Sequence, residues 1–146
     1  MDIMRLTKTG LAAFGLSCLL VLPAARAAAP TPLQQAVAQG KTLFTHATFG
    51  GNGTTCDTCH RDAGTANGVM PGGMTFPSLT SAAALFPRYQ ARTGHVVTLE
   101  DQINGCIRGP LRGKPIPYGG AKMRALVSYL TSLAEGKKIH MGGKLH

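Results

Sequence analysis

Three stretches of the chain repeat apolar residues at helical spacing. In the first, Leu33, Ala36, Val37, Gly40 and Phe44 fall on one face and Pro32 suits an opening turn, so the pattern predicts a helix over residues 32 to about 48. Gly40 lowers helix propensity there, a cost that is offset where a second helix must come close. In the second stretch, Leu99, Ile103, Cys106 and Ile107 share a face. Thr98 stands at the cap position before them, with Glu100 and Asp101 in the electropositive first turn. In the third, residues 120–134, Met123, Leu126, Val127, Leu130 and Leu133 form a stripe beside Tyr129, and Gly136 stops it. This last helix is expected to cross the first near Gly40 and Phe44. A short helix over residues 82–86, capped by Thr80 or Ser81 and ended by Pro87, completes the set.

The segments between these helices are rich in glycine and proline, above all residues 61–77, where Met70 and Met74 flank Pro71, Gly72 and Gly73. At the N-terminus the apolar run is of another kind. Residues 11–22 follow Arg5 and Lys8 and lead into small residues around positions 25–29, the layout of a cleaved export signal. The run is short for a bilayer span and ends at Pro23, so no stable membrane insertion is expected. Cys18 lies inside it and leaves with it. The expected division is a signal peptide at 1–29, one domain at 30–136, and a basic, flexible tail at 137–146 that carries His140 and His146.

Composition sharpens the picture. Tryptophan is absent and aromatics are 5% of the chain, so side chains alone would build a thin core. A large apolar cofactor would fill that deficit. The formal charge is +9; the signal segment holds Arg5, Lys8 and Arg26 against Asp2, which leaves +7 for the rest. Such a balance favours a small anion or an acidic protein as partner. Nucleic acid is not expected for an exported chain.

The cofactor is indicated by Cys56-Asp57-Thr58-Cys59-His60, since C-x-x-C-H is the attachment signature of a c-type haem. The spacing lets two thioether sulfurs reach one ring, and the histidine that follows turns its imidazole to the iron. Residues 50–55, rich in glycine, allow the backbone to bend against a flat group. A thioredoxin-type pair would want a strand before the motif, and a zinc site would want a second ligand pair nearby. Neither is present. One covalent haem c is therefore expected, held by Cys56, Cys59 and His60.

The second axial ligand stays open on pattern alone. Met70 or Met74 would serve as in many monohaem cytochromes, or simply pack on the porphyrin; Met123 reads as core. His46, near the end of the first helix, reads as a surface or capping residue. Cys106 has no disulfide partner once Cys56 and Cys59 are spent, and it is either a buried small hydrophobe or a sulfur ligand opposite His60. Arg92, Arg108, Arg112 and Lys114 lie near it in sequence, which suits a thiolate and an incoming anion.

Four segments carry a family resemblance: residues 86–94 (FPRYQARTG), 98–106 (TLEDQINGC), 113–117 (GKPIP) and 122–130 (KMRALVSYL). They resemble the first haem domain of thiosulfate dehydrogenases, to which cytochrome subunits of the sulfur-oxidising Sox system are related. The resemblance covers residues of about 40 to 136. It implies an all-α, class I cytochrome c fold of about four to five helices around one haem, with His60 and Cys106 as axial ligands. It also implies cations at the cysteine face that receive thiosulfate, with Arg92 matching one such position. Two departures stand out. Gln102 occupies a position where the family usually has arginine, and residues 109–113 replace the usual Arg-Ser-Met-Asn-Gly. The expected function is a periplasmic monohaem cytochrome that passes electrons to or from a redox partner protein in inorganic sulfur oxidation. The alternatives are a thiosulfate-oxidising enzyme or subunit with chemistry at Cys106, and a redox sensor whose cysteine ligation switches.

Overall fold

The computed structural model describes residues 28–145, so the signal read over residues 1–29, with Cys18, lies outside the description except for its last two positions. Helix α1 (Pro32–His46) begins with a reciprocal cap: the Gln34 N–H donates to Thr31 Oγ1 at 3.2 Å, and the Thr31 N–H donates to Gln34 Oε1 at 2.8 Å. Helix α4 (Ala121–Leu133) crosses it where the pattern placed the crossing. A Cβ on Gly40 would fall on the Ala125 carbonyl and lie 2.6 Å from Tyr129 Cβ, so glycine alone lets the two backbones meet. Phe44 and Tyr129 pack at 5.6 Å with their planes tilted by 60°. The Tyr129 hydroxyl donates to the Ala63 carbonyl at 2.5 Å, which ties the crossing to the loop after the cysteine motif.

The motif itself forms the single turn α2 (Cys56–Cys59). Helix α3 (Leu99–Arg108) starts at a second reciprocal cap. The Asp101 N–H donates to Thr98 Oγ1 at 3.2 Å, and the Thr98 N–H donates to the Asp101 carboxylate at 2.8 Å. Ile103, Ile107, Ile116, Met123 and Leu126 close the core between α3 and α4.

The all-α expectation needs a correction. Two short antiparallel ladders join the helices: β1 (Gly68–Val69) with β2 (Thr75–Phe76), and β3 (Arg88–Gln90) with β4 (His95–Val97). Strands of two or three residues are too short to print an alternating pattern, and their positions depend on the turns that close them. Gly72, Gly73 and Gly94 supply the left-handed backbone those turns require, with φ of 91°, 81° and 73°. The stretch after Ser81 also differs from expectation: it is a 3-10 turn, Ala82–Leu85, with no side-chain cap. The tail does not run free throughout, for the His140 N–H donates to the Ala84 carbonyl at 2.8 Å and the Gly142 N–H to that of Leu85 at 3.1 Å. Among the described residues no helix is long and apolar enough to cross a membrane.

Candidate haem site

Residues before the cysteine motif are stitched to the loop after α3. Asn52 donates from Nδ2 to the Pro110 carbonyl at 3.1 Å and from its backbone to that of Leu111 at 2.9 Å; the Lys114 N–H donates to the Phe49 carbonyl at 2.9 Å. Asn104, almost wholly enclosed, braces the same loop through both ends of its amide, each 3.0 Å from the backbone of Ile116. These bonds hold two walls at a fixed separation. Between them opens a cavity of about 580 Å³, within the range of cofactor pockets. Its apolar lining includes Phe44, Phe76, Leu79, Leu85, Leu126 and Leu130.

Cys56, Cys59 and His60, from the α2 turn, and Cys106, from α3, all line this cavity. His60 Nδ1 lies 2.9 Å from the Pro77 carbonyl. A carbonyl only accepts, so Nδ1 carries the proton and Nε2 keeps its lone pair for a metal. Phe76 stands edge-on to the imidazole at 5.7 Å, which fixes its plane. The chain turns sharply after His60, where Asp62 and Ala63 take φ of 52° and 55° and the Asp57 carboxylate accepts the Ala63 N–H at 2.6 Å. Gly68 then passes so close that a Cβ there would fall on the Cys59 carbonyl.

Burial pushes the Cys56 thiol up to about 12, and the neighbouring Cys106 adds to the shift; Cys59 is raised for the same two reasons in the same order. The three sulfurs, each partly buried, line one cavity. Thioether formation would remove two of these ionisable groups from it. Arg88, also in the lining, has a buried Nε with no partner, which suits the carboxylates of a haem. Sulfurs at attachment spacing, a tautomer-locked imidazole, an apolar slot and one unpartnered guanidinium N–H all fit a covalently attached haem. Among the described residues no three His, Cys, Asp or Glu side chains cluster as a metal cage.

The other sequence candidates divide. Arg92 and Arg108 line the cavity with Cys106, whereas Arg112 and Lys114 are exposed and do not. Met70 is half-buried, Met74 exposed and Met123 buried in the core; none of the three lines the cavity. His46 is exposed, with Nδ1 2.6 Å from Thr45 Oγ1. Sequence reasoning missed the Pro77 carbonyl, Asn104 as a brace, and Arg88. Asn104 sits inside a motif that the resemblance already marked, but no local signal names its partner twelve residues on.

A C-x-x-C-H turn opening on an apolar slot, with its imidazole held by a backbone carbonyl, defines a c-type cytochrome domain. The chain belongs to the SoxA/TsdA cytochrome c domain family, whose sequence profile matches residues 39–139, and its cofactor is a covalently bound haem c. Its relatives include the thiosulfate dehydrogenase of Psychrobacter arcticus, 34% identical over 85 residues, or 58% of this chain and 24% of that one. That of Allochromatium vinosum is 27% identical over 126 residues, 80% of this chain and 44% of the relative. Among solved structures, thiosulfate dehydrogenase (TsdBA) from Marichromatium purpuratum aligns with a TM-score of 0.64 at 28% identity, covering 84% of this chain and 28% of the other. SoxXA from P. pantotrophus aligns at 0.57 and 22% identity over 75% of this chain and 39% of its own, a likeness of fold. The chain spans about a quarter to less than half the length of these relatives.

Proposed function

We propose that this chain is a periplasmic monohaem cytochrome that transfers electrons in inorganic sulfur oxidation, with His60 and Cys106 as axial ligands. The observation that carries the reading is the presence of both side chains on the walls of one apolar cavity while Met70, Met74 and Met123 lie elsewhere. The N-terminal signal pattern supports export, and the relatives' names support the sulfur setting. Haem supplies a one-electron couple there. The chain's own residues would do the rest: Cys56 and Cys59 would tether the group, the Pro77 carbonyl orients His60, and Cys106 would offer a sulfur to the metal. A thiolate donor stabilises the oxidised metal and lowers the potential relative to methionine.

Joining two thiosulfates releases two electrons, and a single haem accepts one. A domain with one attachment motif must therefore hand each electron on, which makes a redox partner part of the reaction. A second reading, catalysis at the Cys106 face, is favoured by Arg92 and Arg108 on the same cavity wall. Two measurements test these readings. The low-temperature electron paramagnetic resonance spectrum of the oxidised protein is expected to carry a thiolate signature that Cys106→Ala abolishes; identical spectra would refute cysteine ligation. Thiosulfate with an artificial acceptor is expected to give no sustained tetrathionate, while a partner cytochrome reduces the protein rapidly. Steady tetrathionate formation would assign the protein to the enzymes instead.

A further inference from the structure

Gln102 precedes Cys106 by one helical turn, so the two side chains sit one above the other on the cavity face of α3. The amide of Gln102 is used at both ends. Arg88 donates from a terminal guanidinium nitrogen to Gln102 Oε1 at 3.1 Å, and Gln102 Nε2 lies 3.5 Å from Cys106 Sγ, within hydrogen-bond reach of sulfur. The order of this relay is fixed by chemistry. A guanidinium holds donors and no acceptor, so the amide must offer it oxygen and is left with N–H groups facing the sulfur. Arg88 is in turn anchored by its own strand and by the ring of Phe86, which lies 5.0 Å beneath the guanidinium carbon. All three polar side chains are partly shielded from solvent, where such bonds are stronger than in water.

We propose that Gln102 is a positioning residue for the distal sulfur: its amide, locked by Arg88, donates a hydrogen bond to Cys106 and thereby sets the haem potential. The inference rests on the reading of Cys106 as an axial ligand. A donor aimed at a coordinated thiolate draws charge off the sulfur, weakens its donation to iron and raises the potential of the site. Where a cation at this position would also neutralise the ligand's charge, a neutral amide tunes it without doing so. The Arg88–Gln102 pair thus moves the positive charge one side chain away from the sulfur.

The test compares holoprotein variants Gln102→Leu, Gln102→Glu and Arg88→Met with wild type and with Cys106→Ala. Resonance Raman spectra are expected to show an iron–sulfur stretch that shifts on exchange into deuterium oxide in wild type. In Gln102→Leu the stretch rises, loses that deuterium shift, and the midpoint potential falls. Gln102→Glu, which keeps the partner for Arg88 and loses the donor, follows Gln102→Leu; Arg88→Met, which frees the amide to rotate, falls between. A role in packing alone would leave the deuterium sensitivity in place. If Cys106→Ala alters the spectrum and the Gln102 variants keep wild-type stretch and potential, the relay is refuted and the ligand stands. If Cys106→Ala leaves the spectrum unchanged, the ligand reading fails and the relay falls with it.

Discussion

Asn104 carries a buried polar group at low cost because both ends of its amide meet backbone of Ile116, each at 3.0 Å. Asn104→Ala would leave that N–H and carbonyl unpaired out of water, and a loss of about 2–3 kcal/mol is expected from chemical denaturation of the holoprotein. The same substitution is expected to loosen the loop that holds the cavity's second wall, which thermal broadening of the electron paramagnetic resonance lines would report. That His60 enters the same cavity as the two cysteines follows from their adjacency in one turn, which is written locally. The roles of Asn104 and Arg88 are not written locally, because what defines them is a partner brought up from another element.

At the scale of elements, helix ends and helix crossings respond to different forces. Thr98→Ala removes the α3 cap and is expected to cost about 1 kcal/mol in a melt. Asp101 is held below the usual carboxylate range, first by the Thr98 backbone N–H and then by the hydroxyls of Tyr118 and Thr98. A depressed folded value means its contribution is complete above the ordinary range and is lost as pH falls through the folded value. Since the group is only partly shielded from solvent, Asp101→Asn is expected to flatten only slightly the acid limb of the melting temperature, below about pH 5. Gly40→Ala sets a gain in helix propensity of about 1 kcal/mol against contact with the Ala125 backbone. The contact wins: a net loss of about 1–3 kcal/mol is expected, read as a lowered denaturation midpoint. Faces and caps of α1, α3 and α4 could be read from spacing, as could their crossing. The two ladders could not, being too short to carry a period.

At the scale of the molecule, charge and cofactor dominate. With a formal charge of +7 outside the signal segment, electron exchange with an acidic partner is expected to slow several-fold between low and physiological ionic strength in stopped-flow traces. Exchange with a small neutral reductant would stay nearly constant, and equal salt dependence for both would remove the case for an acidic partner. Cys56→Ser combined with Cys59→Ser should leave the product without covalent haem in a haem-stained gel. Loss of the cofactor leaves the cavity of about 580 Å³ without its apolar filling, so helical circular dichroism is expected to melt at lower temperature.

The sequence alone determined that iron-porphyrin is attached at residues 56–60, which faces of the long helices turn inward, and that glycine is needed where two of them touch. Each of these is a matter of spacing along one continuous segment. Tertiary structure decided that Cys106 shares a cavity with His60 while Met70, Met74 and Met123 do not, that Arg92 and Arg108 line it while Arg112 and Lys114 do not, and that Arg88 reaches Gln102. Those choices depend on how distant segments close around a common space, and no local pattern encodes a closure.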